Sequence, residues 1–530
     1  MKRTIDTHRS DDTRDDGAAG ATRRRFLKGV GATGFGIAGG QSLTGRASAE
    51  WSSPHTDDYG TVVDMVDDAG ADPTGEESIN PQLEEYADDD TLLLFPSGRY
   101  RMNSQFRFTG FENFGVLGKS DVTLVPDNFD DFDRGSDWNY RLFRLGISYN
   151  PGNELLFKNV TVDQTAENTG VRVLEAAVDD GLHVEDVDVV GRHDSGAWGP
   201  GRFVVMDPDG SGLVRNFNAA DGAAWTDDAP ADRLWRGPSG IVCNDLNRGT
   251  MRFENCTLGD FPDNGLYAAN GSGQVVVDGG TYKNSQTASI RIGGTDSVVR
   301  NATVVVDDAR DRGNQHAIRA ESSNYIRIQN CDVRVPDPNG DVISTFDVDL
   351  FLLENSTITT GGDEAVHALH VGDGTGLSRI KTSTFDHGAA GGFSIWVRNG
   401  DGEVNVEDCT FTGDGGHVSA RAAIRCDRPD CTFRDLDVRQ TGSSRRRAIE
   451  LHADNCMLIG GEYVGREYPI INYGDDTWIE QVHANSVDDH EAVLLYDTGS
   501  GVYIKKSVLE DGIKNEGSDD LKLWDNSYSA

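Results

Sequence analysis

The sequence predicts an all-β chain coiled into a right-handed parallel β-helix, a three-sheet solenoid of roughly a dozen or more rungs. Three observations carry that prediction. From residue 141 onward one pattern returns every 22 to 29 residues or so, a period typical of solenoids. Each copy holds a strand that ends in Asn or Asp, then a small residue and a further strand. Each also holds a short strand entered through Gly or another small residue.

The corner pattern is plainest at Asn255-Cys256, Asn330-Cys331, Asn355-Ser356 and Asp408-Cys409, with weaker copies at Asn159, Asp186, Asn301, Asp435 and Gly461. Asn suits a fixed corner because it tolerates the left-handed backbone region and bonds its own turn. A small neighbour, often Cys or Ser, fits the tight bend, which accounts for the cysteines without redox or zinc chemistry. The second strand reads Ser289-Ile290-Arg291-Ile292, Ala317-Ile318-Arg319-Ala320, Ser394-Ile395-Trp396-Val397 and Ala423-Ile424-Arg425-Cys426. No single unit can close an apolar interior, whereas stacked units can. A propeller would repeat at 40 to 50 residues or so, and a leucine-rich repeat would show its own leucine spacing.

The chain divides into residues 1–49, a leader; 50–140, an N-terminal cap and first turns; and 141–530, the β-helix proper, with a long loop insertion at 191–240. The leader reading rests on Thr22-Arg23-Arg24-Arg25-Phe26-Leu27-Lys28, which resembles the twin-arginine export motif. A weakly apolar stretch and a small-residue cleavage site at Ala47-Ser48-Ala49 follow. The expectation is a secreted protein. No apolar run reaches roughly 18 residues, so membrane insertion is not expected.

Net charge is −39, and beyond residue 49 it is −43, from 40 basic and 83 acidic residues. Such a charge repels nucleic acid and anionic membrane. The carboxylates are spread over patterned segments, which reads as a solvated surface. This Lys-poor acidic surface resembles that of proteins from salt-saturated cells and implies a haloarchaeal source.

The repeats resemble the pectate lyase and polygalacturonase superfamily of right-handed β-helices. Leu93-Leu94-Phe95-Pro96-Ser97-Gly98-Arg99-Tyr100 is similar to the F-P-x-G-x-Y signature that opens many of them. The resemblance implies that the Asn corner joins the second and third sheets and that substrate lies on the outer face of the first. Strand alternation then separates in from out. One outward column reads Arg144, Arg172, Val242, Tyr267, Arg291, Arg319, Ser344, His370, Trp396, Arg425 and Glu450. A second, two residues on, includes Glu321, Phe346, Arg398, Asp427, His452, Tyr473 and Tyr496.

Basic and aromatic residues recurring at one position are unexpected in so acidic a chain. They suggest a groove for an acidic polysaccharide, bound by a monomer, with Arg291, Arg319, Arg425, Arg398, Glu321, Trp396, His452 and Glu450 lining it. The competing reading is that Arg pairs with Glu321, Asp427 and Glu450 to neutralise a surface stack. A lyase needs a carboxylate neutraliser, a base and an acid. His370 is the candidate base, with His316 and His367 in reserve, Arg319 and Arg425 the carboxylate binders, and Tyr267 the acid. A hydrolase would use two carboxylates, and Asp427 with Glu450 are placed for it. The polygalacturonase residue set is absent as a set; Arg379-Ile380-Lys381 matches only its last element and falls on the second sheet. A cofactor is either none or Ca²⁺, for which Asp207-Pro208-Asp209-Gly210 and Asp337-Pro338-Asn339-Gly340-Asp341 offer turns. A non-catalytic glycan-binding or cell-envelope β-helix is the alternative from another class.

Overall fold

The computed structural model describes residues 56–132, 140–230, 234, 236–308, 313–415, 421–442 and 445–528. These form a parallel β-solenoid of about 16 turns, nearly all β and only 4% helical. The leader reading at 1–49 lies outside the described residues.

Strands of successive turns pair parallel and in register. One core column runs Leu266, Ile290, Ile318, Ile343, Leu369, Ile395, Ile424, Ile449. Every member of it is fully buried. Burying each such side chain contributes about 1.5–3 kcal/mol, and like shapes repeat along the axis. The helix Asn80–Tyr86 starts with Pro81 in its first turn, where a missing N–H costs nothing. It buries Leu83 and lies against Phe106–Phe108, the strand that begins the first sheet.

The corners are as read. Asn159, Asp186, Asn255, Asn301, Asn330, Asn355, Asp408 and Asp435 all have φ between 48° and 57°. Asn330 Nδ2 donates to Asn301 Oδ1 at 3.3 Å, and Asn216 Nδ2 to Asp186 Oδ1 at 2.7 Å, so the corner also ties turn to turn. The copy placed at Gly461 is shifted by one: Gly460, at φ 68°, holds the corner and Gly461 fills the small-residue slot. In that slot, Cys331 N–H donates to Ser356 Oγ at 3.1 Å, and Ser356 N–H to Ser383 Oγ at 3.2 Å. All seven cysteines are buried and none is bridged.

The 191–240 stretch is not one loop. Gly201–Val205 and Ser211–Ala219 are strands that add a full turn, pairing with 172–178 and 182–190 below and with 241–242 and 250–254 above. Glycines at 199, 201, 210 and 212 broke the alternation in the sequence. Arg233 and Trp235 lie outside the described residues.

The second sheet's outer face carries charges that largely alternate in sign from turn to turn. Lys158, Glu185, Arg215 and Glu254 stack in register. Lys158 meets Glu185 at 2.8 Å, and Arg215 meets Glu254 at 2.8 Å. Further along the same column, Arg300 meets Asp278 at 2.7 Å and Lys381 meets Glu407 at 3.1 Å.

The corner gives a direct test. Asn355→Ala should destabilise the chain by about 1–2 kcal/mol, since Ala resists the left-handed region. Asn355→Gly should cost less than half as much. Equilibrium denaturation of both variants checks this, and equal losses would remove the backbone explanation.

Candidate functional site

The first sheet presents a short strand on every turn, and its outward column is continuous. Val242, Tyr267, Arg291, Arg319, Ser344, His370, Trp396, Arg425 and Glu450 stack in that order. Towards the N-terminus the column differs from the sequence reading. Glu175 pairs with Arg144 and with Arg202, whereas Arg172 pairs with Arg141 and is buried, 2% exposed. The unrecognised turn at 201–219 hid this register.

The arginines of the column have carboxylate partners on the same face. Glu321 accepts Arg291 Nε and Arg319 Nε, both at 2.6 Å, so one carboxylate bridges two turns. Arg425 grips Asp427, with Nε at 3.0 Å from both oxygens, and Trp396 Nε1 donates to Asp427 at 2.8 Å. Arg447 bonds Glu450 at 2.5 Å, and His452 Nε2 lies 3.2 Å from the other Glu450 oxygen. His452, Tyr473 and Tyr496 stack at 4.3 and 4.4 Å. Arg291 covers the Tyr267 ring at 4.6 Å and Arg319 the Phe346 ring at 4.7 Å. The pairing of Arg with Glu321, Asp427 and Glu450 is therefore real, though Glu321 meets two guanidiniums.

Three residues before this column runs an edge column on the same strands or just ahead of them: Asn264, Ala288, His316, Asp341, His367 and Phe393. Asp341 is its hub. One carboxylate oxygen accepts His370 Nδ1 at 2.8 Å, and the other accepts the His367 backbone N–H at 3.1 Å. Its backbone carbonyl accepts His316 Nδ1 at 2.6 Å. Burial raises the Asp341 pKa, but the His370 hydrogen bond and the nearby imidazoles outweigh it and hold the carboxyl below its usual range.

An ionised carboxylate only accepts, so Nδ1 of His370 donates to it, and in the neutral ring Nε2 keeps the lone pair. That Nε2 is covered and has no hydrogen-bond partner among the described residues. His367 is the converse: its Nδ1 accepts the Phe393 backbone N–H at 3.1 Å, which puts the proton of the neutral ring on Nε2. The two imidazole centroids are 6.0 Å apart. Trp396 stacks on His370 at 4.9 Å and Phe393 on His367 at 5.2 Å, fixing both rings. Burial pulls His316 and His367 down to about 4, so both are neutral near pH 7.

Asp341 was read as part of a Ca²⁺ turn, yet its carboxylate is spent on the histidines. Asp207 Oδ1 accepts its own turn's Asp209 N–H at 2.8 Å. Among the described residues no group of three or more His, Cys, Asp or Glu is arranged to hold a metal ion. Tyr267 lies four turns from His370, about 19 Å at 4.8 Å per turn. That separation rules it out as the acid for a bond attacked at His370; its hydroxyl accepts Asn270 Nδ2 at 2.7 Å. The hydrolase pair fares no better. Burial raises the Glu450 pKa, but His452 and Arg447 reverse this and lower it, the wrong direction for a general acid. Asp341 was legible in principle: it precedes Ser344 by the same three residues by which His316 precedes Arg319 and His367 precedes His370.

No protein-family model matches the chain, and no curated protein sequence matches it. Among solved structures, the α-1,3-glucanase catalytic unit of Streptomyces thermodiastaticus is 14% identical, with a TM-score of 0.32 over 87% of this chain and 68% of that one. The surface adhesin PfbA of Streptococcus pneumoniae is 12% identical, TM-score 0.37, over 88% of this chain and 98% of that one. The A-module of the Azotobacter vinelandii mannuronan C-5 epimerase AlgE4 is 11% identical, TM-score 0.30, over 89% and 96%. These are neighbours in fold, and no activity is carried across at such identity. Among the described residues no helix is long and apolar enough to cross a membrane.

The buried histidines set a pH dependence. His193, His316 and His367 titrate near 4 in the fold, chiefly through burial, against about 6.5 unfolded. Between those values the unfolded chain binds more protons, so stability is full above about pH 6.5 and falls as pH drops towards 4. The loss should be on the order of 2 kcal/mol or more by pH 4.5. Denaturant midpoints from pH 7.5 to 4.5 read it, and His316→Gln should flatten the curve. An unchanged midpoint down to pH 5 would refute the neutral-histidine assignment.

Proposed function

We propose that the chain is an exported enzyme that cleaves an acidic polysaccharide by β-elimination on the outer face of its first sheet. The observation that carries this reading is the His370–Asp341 pair beside His367. Two imidazoles side by side are held in opposite tautomers, one presenting a lone pair and the other an N–H.

In a uronic acid chain, Nε2 of His370 takes the proton adjacent to the carboxylate. The electrons form the C=C bond as the bond to the leaving oxygen breaks; His367 Nε2–H hydrogen-bonds that oxygen, and the His370 imidazolium returns the abstracted proton to it. His367 stays neutral throughout and His370 ends neutral, so neither needs to be cationic beforehand. Arg319 and Arg425, each two turns from His370 and about 10 Å along the axis, flank the base and offset the substrate carboxylates. Asp341 keeps the His370 tautomer and stabilises the imidazolium that forms. Nε2 is covered, so substrate must displace its cover on binding, which also excludes water from the base.

One observation favours a second reading, a glycan-binding β-helix without catalysis. Arg291, Arg319 and Arg425 already have carboxylate partners, as a neutralised binding surface would.

Incubating the mature protein with a panel of uronic-acid polysaccharides in multimolar salt separates the two. Unsaturated product absorbing in the ultraviolet is the expected outcome. His370→Ala should reduce its rate at least about a hundredfold, and Asp341→Asn about tenfold or more, with unfolding midpoints near wild type. Binding without product across the panel would leave the second reading, whereas a fully active His370→Ala would overturn His370 as the base. Export carries its own check: the secreted form should begin at Glu50, read by N-terminal sequencing.

A further inference from the structure

Seven turns from His370 towards the N-terminus, about 34 Å along the axis, the same face holds a second cluster. Glu175, 4% exposed, is its centre. Arg141 Nε lies 2.7 Å and Arg172 Nη1 2.6 Å from one oxygen; Arg144 Nε lies 3.0 Å and Arg202 4.0 Å from the other. One carboxylate thus faces four guanidiniums. Arg107, in register with Arg144, adds a fifth cation to the column.

Such an excess is out of place in a chain of net charge −39. On the second sheet the same chain alternates signs; here like charges share adjacent turns. The guanidiniums are also under-used. Arg141 and Arg144 each spend only Nε on Glu175, and Arg202 makes no hydrogen bond among the described residues. Their terminal nitrogens are left without a described acceptor on side chains 11%, 18% and 19% exposed. Arg172 forms a fixed back wall: buried, its Nε donates to Gly199 O at 3.2 Å and its plane covers Trp198 at 5.3 Å. Burial together with Arg141 and Arg107 pulls the Arg144 pKa down despite Glu175, the mark of crowded like charge.

We propose that this cluster binds sulfate, either as a free ion or as a sulfate ester on a glycan. The donors come from two columns and from turns on both sides of Glu175. Glu175 takes a single nitrogen from each of Arg141, Arg144 and Arg172, and a tetrahedral oxyanion can accept from the remaining donors in several directions at once. The site stands independently of the cleavage reading, because it shares no residue with the His370 cluster.

The test is calorimetric titration of the mature protein with inorganic sulfate, at an ionic strength held constant with chloride. Wild type should bind sulfate. Arg144→Gln/Arg202→Gln should weaken binding at least tenfold, and Arg434→Gln on the second sheet should leave it unchanged. Glu175→Gln, which removes the competing carboxylate, should tighten it. Arg202→Gln alone, which deletes a guanidinium without a hydrogen bond, keeps the test sound if the double variant does not fold. Competition separates the sources. Displacement of sulfate by a sulfated polysaccharide but not by its desulfated form identifies the ester, and no displacement by either identifies the free ion. No binding in wild type, or equal binding in wild type and both arginine variants, would overturn the site.

Discussion

The left-handed corner between the second and third sheets is the constraint on which everything else depends. At Asn159, Asn255, Asn330 and Asn355 the chain turns at φ near 50°, and each turn then starts its next strand at the same height as the one below. In a parallel stack a slip of one residue would send every core side chain to solvent. The corner prevents this locally by conformation, before any long-range packing decides it. Because the register is exact enough to stack Ile290 on Leu266 and Ile318 on Ile290, the outward residues are stacked too. The functional face is a by-product of core registration.

That inheritance lets the two outer faces be compared as equals, and they follow opposite rules. The second sheet places Lys158, Glu185, Arg215 and Glu254 on successive turns, the cheapest way to stack charges about 4.8 Å apart. The first sheet stacks Arg291 on Arg319 and surrounds Glu175 with arginines. A chain able to build an alternating ladder has not done so here. The ladder pairs run from largely buried, at Lys158–Glu185, to more exposed, at Lys381–Glu407, so burial alone gives no reason for the difference. A ligand that supplies the missing negative charge does.

The fold was readable because its determinants are local: corner residue, small neighbour, apolar alternation. Column membership from Val242 to Glu450 followed from the same period. What was not readable arose where the period broke or where partners met across turns. Glycines around 201 and 212 erased the alternation of one turn, and Arg172 was consequently placed three residues out of register. Asp341 looked like a turn carboxylate because its Asp/Gly surroundings read as a turn, and only its three-residue offset from Ser344 puts it on the edge shared with His367. Tyr267 and His370 share a column, but reach along a column grows by a whole turn at each step. A reaction needs neighbours, not members of one stripe.

Salt decides which of these interactions count. At molar ionic strength the screening length falls to about 3 Å, and exposed pairs such as Arg334 with Asp332, each about half exposed, lose most of their attraction. Glu175 and Glu321 are buried and Asp341 about a quarter exposed, and such pairs are screened much less. The well-buried pairs, on the first sheet and at Lys158–Glu185 on the second, are therefore the part of this surface least altered by salt. A tautomer held by Asp341, or an anion held by Arg141 and Arg144, would survive conditions that silence exposed pairs such as Arg334 with Asp332. The acidic remainder of the surface then serves hydration and solubility, while directed charge persists wherever side chains are packed closely enough to limit screening.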